Sequence, residues 1–375
     1  MQRLRRLLCL ACLSIVLTVA STADGAGPNI RDVSVTPPFF NPTAGQSVAI
    51  QFHAGASGPA TVTILDRDRF TIRKLAARAV TPGLATFSWD GRDEEGVVVP
   101  NEAWNVRIEL GEAVHDPSLD FHPQLDDPQP RTYSRPDGIL SYRLARPARV
   151  HIEAGQASPN PKNNGRAEGP ILKTIVNSEP RVSGAVVEKW NGFDESGTIR
   201  VSDLPNFVVS VLAVSLPENS IITGGNRRET FLDYAARQRP AQALQPKKRA
   251  TPTRHHAGLN AFEDRSPALT IRPRGTWSAS ANAWQVYGPL RIEAKIEGRS
   301  AAHFLAQPTV ITIYVGEKLV LTRTSPANPL VFTIPASELP AGEHRIAVNW
   351  GSDYGPAALG SFRVIVPTAR AEVRP

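Results

Sequence analysis

Cysteine is confined to the first twelve positions of this 375-residue chain, at Cys9 and Cys12, and Met1 is the only methionine. Without the opening segment the chain has no thiol and no disulfide, so its domains must hold together by burial alone. That is feasible for units of about 80 to 110 residues, well above the floor of about 40 for unaided folding. Enzyme fingerprints are also missing: there is no G-x-S-x-G, H-E-x-x-H, P-loop or dinucleotide motif. GSDYG at 351–355 has Asp353 at its centre, where a nucleophilic serine would stand. Helical periodicity is scarce, with one candidate in FLDYAAR at 231–237. The longest apolar run, Leu7–Ala20, is short of the roughly 20 residues a membrane span needs.

The N-terminus has the three parts of a secretory signal. Arg3, Arg5 and Arg6 precede the apolar run, and small residues follow it, with cleavage expected after Ala23 or Ala26. Residues 1–26 are read as a signal peptide, with a retained anchor as the alternative. Removing three arginines and Asp24 takes the formal charge from +7 to about +5, a modest excess of cations.

Alternation with period two dominates the rest. Val48, Ile50 and Phe52 fall on one face, Val106, Ile108 and Leu110 on another, and Leu290, Ile292, Ala294 and Ile296 on a third, each interleaved with polar residues. These are half-buried strands. The chain's 33 prolines and 27 glycines punctuate short strands and turns. The expected class is all-β, built from sandwiches.

WDGRDEEG at 89–96 returns as WNGFDESG at 190–197, 101 residues later and among similar strands. This is an internal repeat. Trp89, Gly91, Asp93 and Gly96 persist as Trp190, Gly192, Asp194 and Gly197, while Asp90 becomes Asn191 and Glu95 becomes Ser196. Asp and Asn close turns through side-chain oxygens and Gly supplies positive φ, so the acidic cluster reads as a structural turn. A calcium loop does not fit, because Arg92 and Glu95 occupy a ligand position and the obligatory glycine position. NPTAGQSVAIQF, ATVTILDRD and FSWDGRDEEGVVVPNEAWNVRIEL together resemble the Ig-like domain of the flagellar hook-capping protein family. The first copy, about 29 to 112, matches well, and the second, about 136 to 216, matches more loosely. The resemblance implies the fold and carries over no flagellar role. PTVITIYVGEKLVLT, ASELPAGEHRIAVNW and GSFRVIVP resemble the last strands of a bacterial Ig-like module, and Gly316-Glu317 fits a tight hairpin turn.

The expected order is a signal peptide at 1–26, Ig-like or fibronectin-like sandwiches at 27–112 and 113–222, a flexible linker at 223–267 and a third sandwich at 268–375. The linker carries nine Lys and Arg against four acids over 227–265, a composition that favours a solvated spacer. No aromatics interleave its charges, which argues against nucleic acid. His255-His256 lacks the further ligands a closed zinc site needs. His115, Asp116, Asp120, His122, Asp126 and Asp127 are the better metal ligands by type, yet they fall at a domain junction suited to ordinary turn residues. Trp104 is expected in the core; Trp277 and Trp284 are candidates for stacking on a sugar ring. No catalytic, metal or cofactor-binding residue is assigned. The functional expectation is an exported, periplasmic or extracellular, non-enzymatic protein of the bacterial envelope, binding protein partners through Ig-like domains. The alternative is a carbohydrate-binding accessory protein that takes a polysaccharide on the aromatics of its third domain.

Overall fold

The computed structural model describes residues 29–157, 169–238, 267–298, 301–306, 308–324, 326–352 and 355–368. Residues 1–28, which include the expected signal peptide, His255-His256 and most of the basic stretch lie outside the described residues. The chain is mostly β-strand in several sheets, and three apolar cores each lie between two of them.

The first core has Ile30–Thr36, Val48–Ala54 and Gly83–Trp89 as one sheet, in that order. Facing it is a larger sheet centred on Gly58–Leu65 and Ala103–Leu110. Val48, Ile50 and Phe52 point inward against Val62, Ile64, Val106 and Ile108, the outcome that alternation dictates. The second core lies between a sheet of Thr132–Ser134, Ile139–Leu144 and Gly184–Lys189 and one centred on Ala148–Gln156 and Phe207–Ser215. The third lies between Ala268–Pro273, Leu290–Glu297 and Leu330–Ile334 on one side and a six-stranded sheet on the other. In that larger sheet Thr309–Val315 and Lys318–Thr324 form the expected hairpin, with Gly316 at φ 59°.

Two boundaries differ from the sequence reading. Ala113–His115 pairs with Ala103–Leu110, so it belongs with the first core rather than the second. The chain also returns to the first core after leaving the second. Ile221–Thr223 pairs antiparallel with Ala103 and Trp104 and parallel with Phe39 and Phe40. The expected linker therefore does not begin at 223. Its first part folds, ending in a helix at Phe231–Gln238. Thr230 starts that helix: its hydroxyl accepts from Asp233 N at 3.2 Å, capping one free helix N–H, and donates to the Asp233 carboxylate at 3.0 Å. Phe231, Tyr234 and Ala235 are buried in the first core, with the Phe231 and Tyr234 rings edge-on to Trp104. The helix falls on the FLDYAAR candidate; what the charge and proline content of the whole segment hid was that its two aromatics are buried in the first core.

Candidate functional site

The two tryptophan turns match atom for atom over most of their length. Trp89 Nε1 donates to Arg92 O and Trp190 Nε1 to Phe193 O, both at 2.8 Å. Asp90 Oδ1 accepts from Arg92 N, and Asn191 Oδ1 from Phe193 N, both at 3.1 Å. An amide keeps the turn's backbone bond because that bond uses one acceptor oxygen; the other Asp90 oxygen pairs with Arg92 Nε at 3.7 Å on the exposed surface. Asp93 Oδ1 accepts from Val97 N at 2.8 Å; Asp194 Oδ1 accepts from Thr198 N and Ile199 N at 2.8 and 2.9 Å. Gly96 N and Gly197 N close the loops onto Asp93 O and Asp194 O at 3.1 Å. Gly91 and Gly192 have φ of 74° and 83°. A Cβ on Gly91 would stand 2.5 Å from Pro42 Cβ, and one on Gly192 2.7 Å from Ser202 Oγ, so close approach and backbone conformation both demand glycine.

The turn does more than reverse the chain. Asp93 and Asp194 are 1% and 3% exposed, and the second oxygen of each is engaged by a distant segment. Asp93 Oδ2 accepts from Tyr234 Oη and Gln238 Nε2 of the helix, both at 3.0 Å. Asp194 Oδ2 accepts from Ser196 Oγ and from Ser361 Oγ, which belongs to the third core's sheet. Burial, with the Asp93 carboxylate beside it, pushes the Tyr234 hydroxyl well above its ordinary pKa. Each repeat thus offers the same acceptor to a different docking element. The sequence signal for this was the retention of Asp93 and Asp194 as carboxylates while Asp90 changed to an amide.

Other buried polar groups also join one core to another. Glu102, its side chain 2% exposed, meets Arg67 at 3.3 Å and Arg149 of the second core's sheet. Within the first core, the returning strand is held by Thr223 Oγ1, which accepts from Trp104 Nε1 at 2.8 Å. Between the second and third cores, Gln156 donates to Glu317 at 2.8 Å and accepts from Arg345. Asn206 donates to Glu317 at 3.1 Å. Asn349 bonds both N and O of Ile171, at 3.0 and 2.6 Å, and so stands in for a missing strand along the outer edge of Ile171–Arg181. Tyr314 and Ala347 of the third sheet pair are packed within the second core.

The metal-ligand types at the first junction do not converge. Asp116 pairs with Arg69 at 2.8 Å and Asp127 with Arg131 at 2.6 Å, while His122 Nδ1 meets its neighbour Asp120 O at 2.8 Å. Asp126 lies in a strand on the second core's sheet. Among the described residues no cluster of three or more His, Cys, Asp or Glu could hold a metal ion. A cleft of about 210 Å3 beside Gln124 and Asp126 includes Ser215, whose hydroxyl accepts from Gln124 N at 2.8 Å; no histidine lines it. Trp104 is buried in the first core. Trp277 and Trp284 face each other across a hairpin, ring centroids 5.4 Å apart at 61°, with Trp277 47% exposed. Among the described residues, no helix is long and apolar enough to cross a membrane.

No family model matches the chain. A stretch of 48 residues is 40% identical to the basal-body rod modification protein FlgD of Salmonella typhimurium, and likewise to that of Salmonella typhi. It spans 13% of this chain and 21% of each relative, a likeness at the level of one domain. Among solved structures, the FN1-FN3 domains of chicken CNTN1 align over 91% of this chain and 100% of theirs, at 12% identity and a TM-score of 0.18. A solved chain of a 1.5-MDa bacterial ice-binding adhesin aligns over 91% of this chain and 99% of its own, at 11% identity and a TM-score of 0.18.

Proposed function

We propose that this chain is an exported bacterial scaffold of three tandem Ig-like domains that acts without catalysis and holds protein partners in the cell envelope or outside the cell. The observation that carries the reading is where its buried polar chemistry goes. Asp93, Asp194, Glu102, Gln156 and Asn349 each bond a segment from another part of the chain. None of these groups forms a nucleophile-and-base pair in a cleft, the arrangement an active site requires. A molecule whose internal polar contacts fix the placing of sheets is suited to presenting loops and edges. Open edges remain at Gly184–Lys189 and Lys318–Thr324, each the last strand of its sheet. Such edges are templates for an added strand.

Photo-crosslinking in the native host tests this. A photoreactive residue at Val187 or Leu319, both exposed on those edges, is expected to give a discrete adduct with one envelope protein. The same probe at buried Val150 should give none. Recovery of the chain in the cytoplasmic fraction, without adducts at either edge, would overturn the proposal.

A further inference from the structure

The third core's two sheets meet at a corner beside the hairpin of Trp277 and Trp284. The chain crosses from one sheet to the other twice, at Arg274-Gly275 and at Tyr287–Pro289, and the crossings run side by side. Arg274 N donates to Arg291 O at 2.8 Å. Gly275 lies so close to the second crossing that a Cβ would stand 2.7 Å from Gln285 O. Between them is the edge hairpin Thr276–Ser278 and Ala283–Gln285. The two crossings and the segments next to them carry Trp277, Tyr287, Arg274 and Arg291. Tyr287 is 75% exposed, and both arginines are exposed.

We propose that this corner binds an acidic saccharide, Trp277 and Tyr287 covering sugar faces and Arg274 and Arg291 pairing with its carboxylate or phosphate. Trp284 stands edge-on to Trp277 and fixes it, so little side-chain freedom is lost when a ring settles on the exposed indole. The neighbouring acids are already paired, Glu293 with Arg272 at 3.8 Å and Glu343 with Arg363 at 2.7 Å. Arg274 and Arg291 have no ion-pair partner among the described residues, and a guanidinium is suited to planar bidentate anions. Two cations are too few for an anionic membrane surface, which recruits clusters of about four to eight. The site stands apart from the scaffold reading, since a glycan could bind here whether or not the open edges hold a protein.

The experiment is isothermal titration of the purified full chain with an oligogalacturonate, a phosphomannan fragment and a neutral cello-oligosaccharide of equal length. At least one acidic probe is expected to bind more tightly than the neutral one, and to weaken with salt. The stronger acidic probe identifies the anion. Trp277→Ala and Tyr287→Ala should each weaken it about tenfold. Arg274→Gln with Arg291→Gln should bring acidic binding down to the neutral level. Tyr287 is exposed enough that its removal leaves the fold intact, which keeps the aromatic arm informative if Trp277→Ala unfolds the hairpin. Absence of binding to both acidic probes, equal affinity for acidic and neutral probes, or acidic binding unchanged in Tyr287→Ala and in the double arginine variant would each overturn the proposal.

Discussion

Asp93 and Asp194 divide a single carboxylate between a local turn and a distant partner. The division sets what each neighbouring residue tolerates. Gly91 and Gly96 share a left-handed backbone, yet only Gly91 is crowded; nothing lies within 4 Å of a Cβ on Gly96. Gly96→Ala should therefore cost only the backbone term, about 1 to 2 kcal/mol. Gly91→Ala adds a clash with Pro42 and should cost at least about 1 kcal/mol more. Urea unfolding of both variants checks the order. Tyr234 gives a second test. In the folded chain its hydroxyl is buried against Asp93 and its pKa is raised; in the unfolded chain it ionises near pH 10. Above that pH the unfolded state binds fewer protons than the native state, so stability is full below pH 10 and falls as pH rises beyond it. Tyr142 is raised by burial in the same direction. Tyr234→Phe should lose about 1.5 to 3 kcal/mol at neutral pH, the worth of a bond to a charged acceptor, and should show a shallower loss of stability above pH 10. An unchanged slope would mean that Tyr234 does not hold its proton in the fold.

At the scale of elements, the strand Ile221–Thr223 and the helix Phe231–Gln238 were the least legible parts of the chain. Alternation shows which side of a strand faces inward; it does not show which core receives a segment that comes back after about a hundred residues. FLDYAAR could be read as a helix from its own periodicity, but its place against Trp104 depends on contacts such as Tyr234 with Asp93, 141 residues apart. The tryptophan turns were legible because the bonds that shape the loop itself close within five residues; the long-range bonds of Asp93 and Asp194 were not. The Glu102–Arg149 pair belongs with the hidden contacts. Glu102 looks like an ordinary polar residue before a strand, and its burial follows only from the second core's sheet coming to lie on it. Arg149→Met should leave Glu102 buried with Arg67 as its remaining guanidinium and cost about 3 to 5 kcal/mol. Glu102→Gln with Arg149→Met removes the stranded charge and should cost less than Arg149→Met alone, a coupling that a double-mutant cycle in denaturant would measure. A double variant as unstable as the sum of the singles would show that the two side chains act independently.

For the whole molecule, the question is whether the second and third cores move as one. Their junction combines apolar sharing, through Tyr314 and Ala347, with a polar seam from Gln156 to Arg345 and Asn349. Burial lowers the Arg345 pKa, against the pull of the nearby Glu317 and Asp194 charges, so this cation has been withdrawn from solvent to make the seam. Asn349 is the most separable part of it. Among the described residues its side chain bonds only across the junction, to Ile171 N and O, and its strand is otherwise held by backbone pairs on both sides. Asn349→Leu should therefore leave the third core intact while stranding a donor and an acceptor at the edge of Ile171–Arg181, at about 1 to 3 kcal/mol for each unsatisfied group. That loss falls on docking, not on either core. The expected result is a split of one thermal transition into two, with a larger radius of gyration by small-angle scattering below the first. A single transition at lowered temperature, with unchanged scattering, would instead mean that Tyr314 and Ala347 alone hold the cores together and that the polar seam fixes only their register.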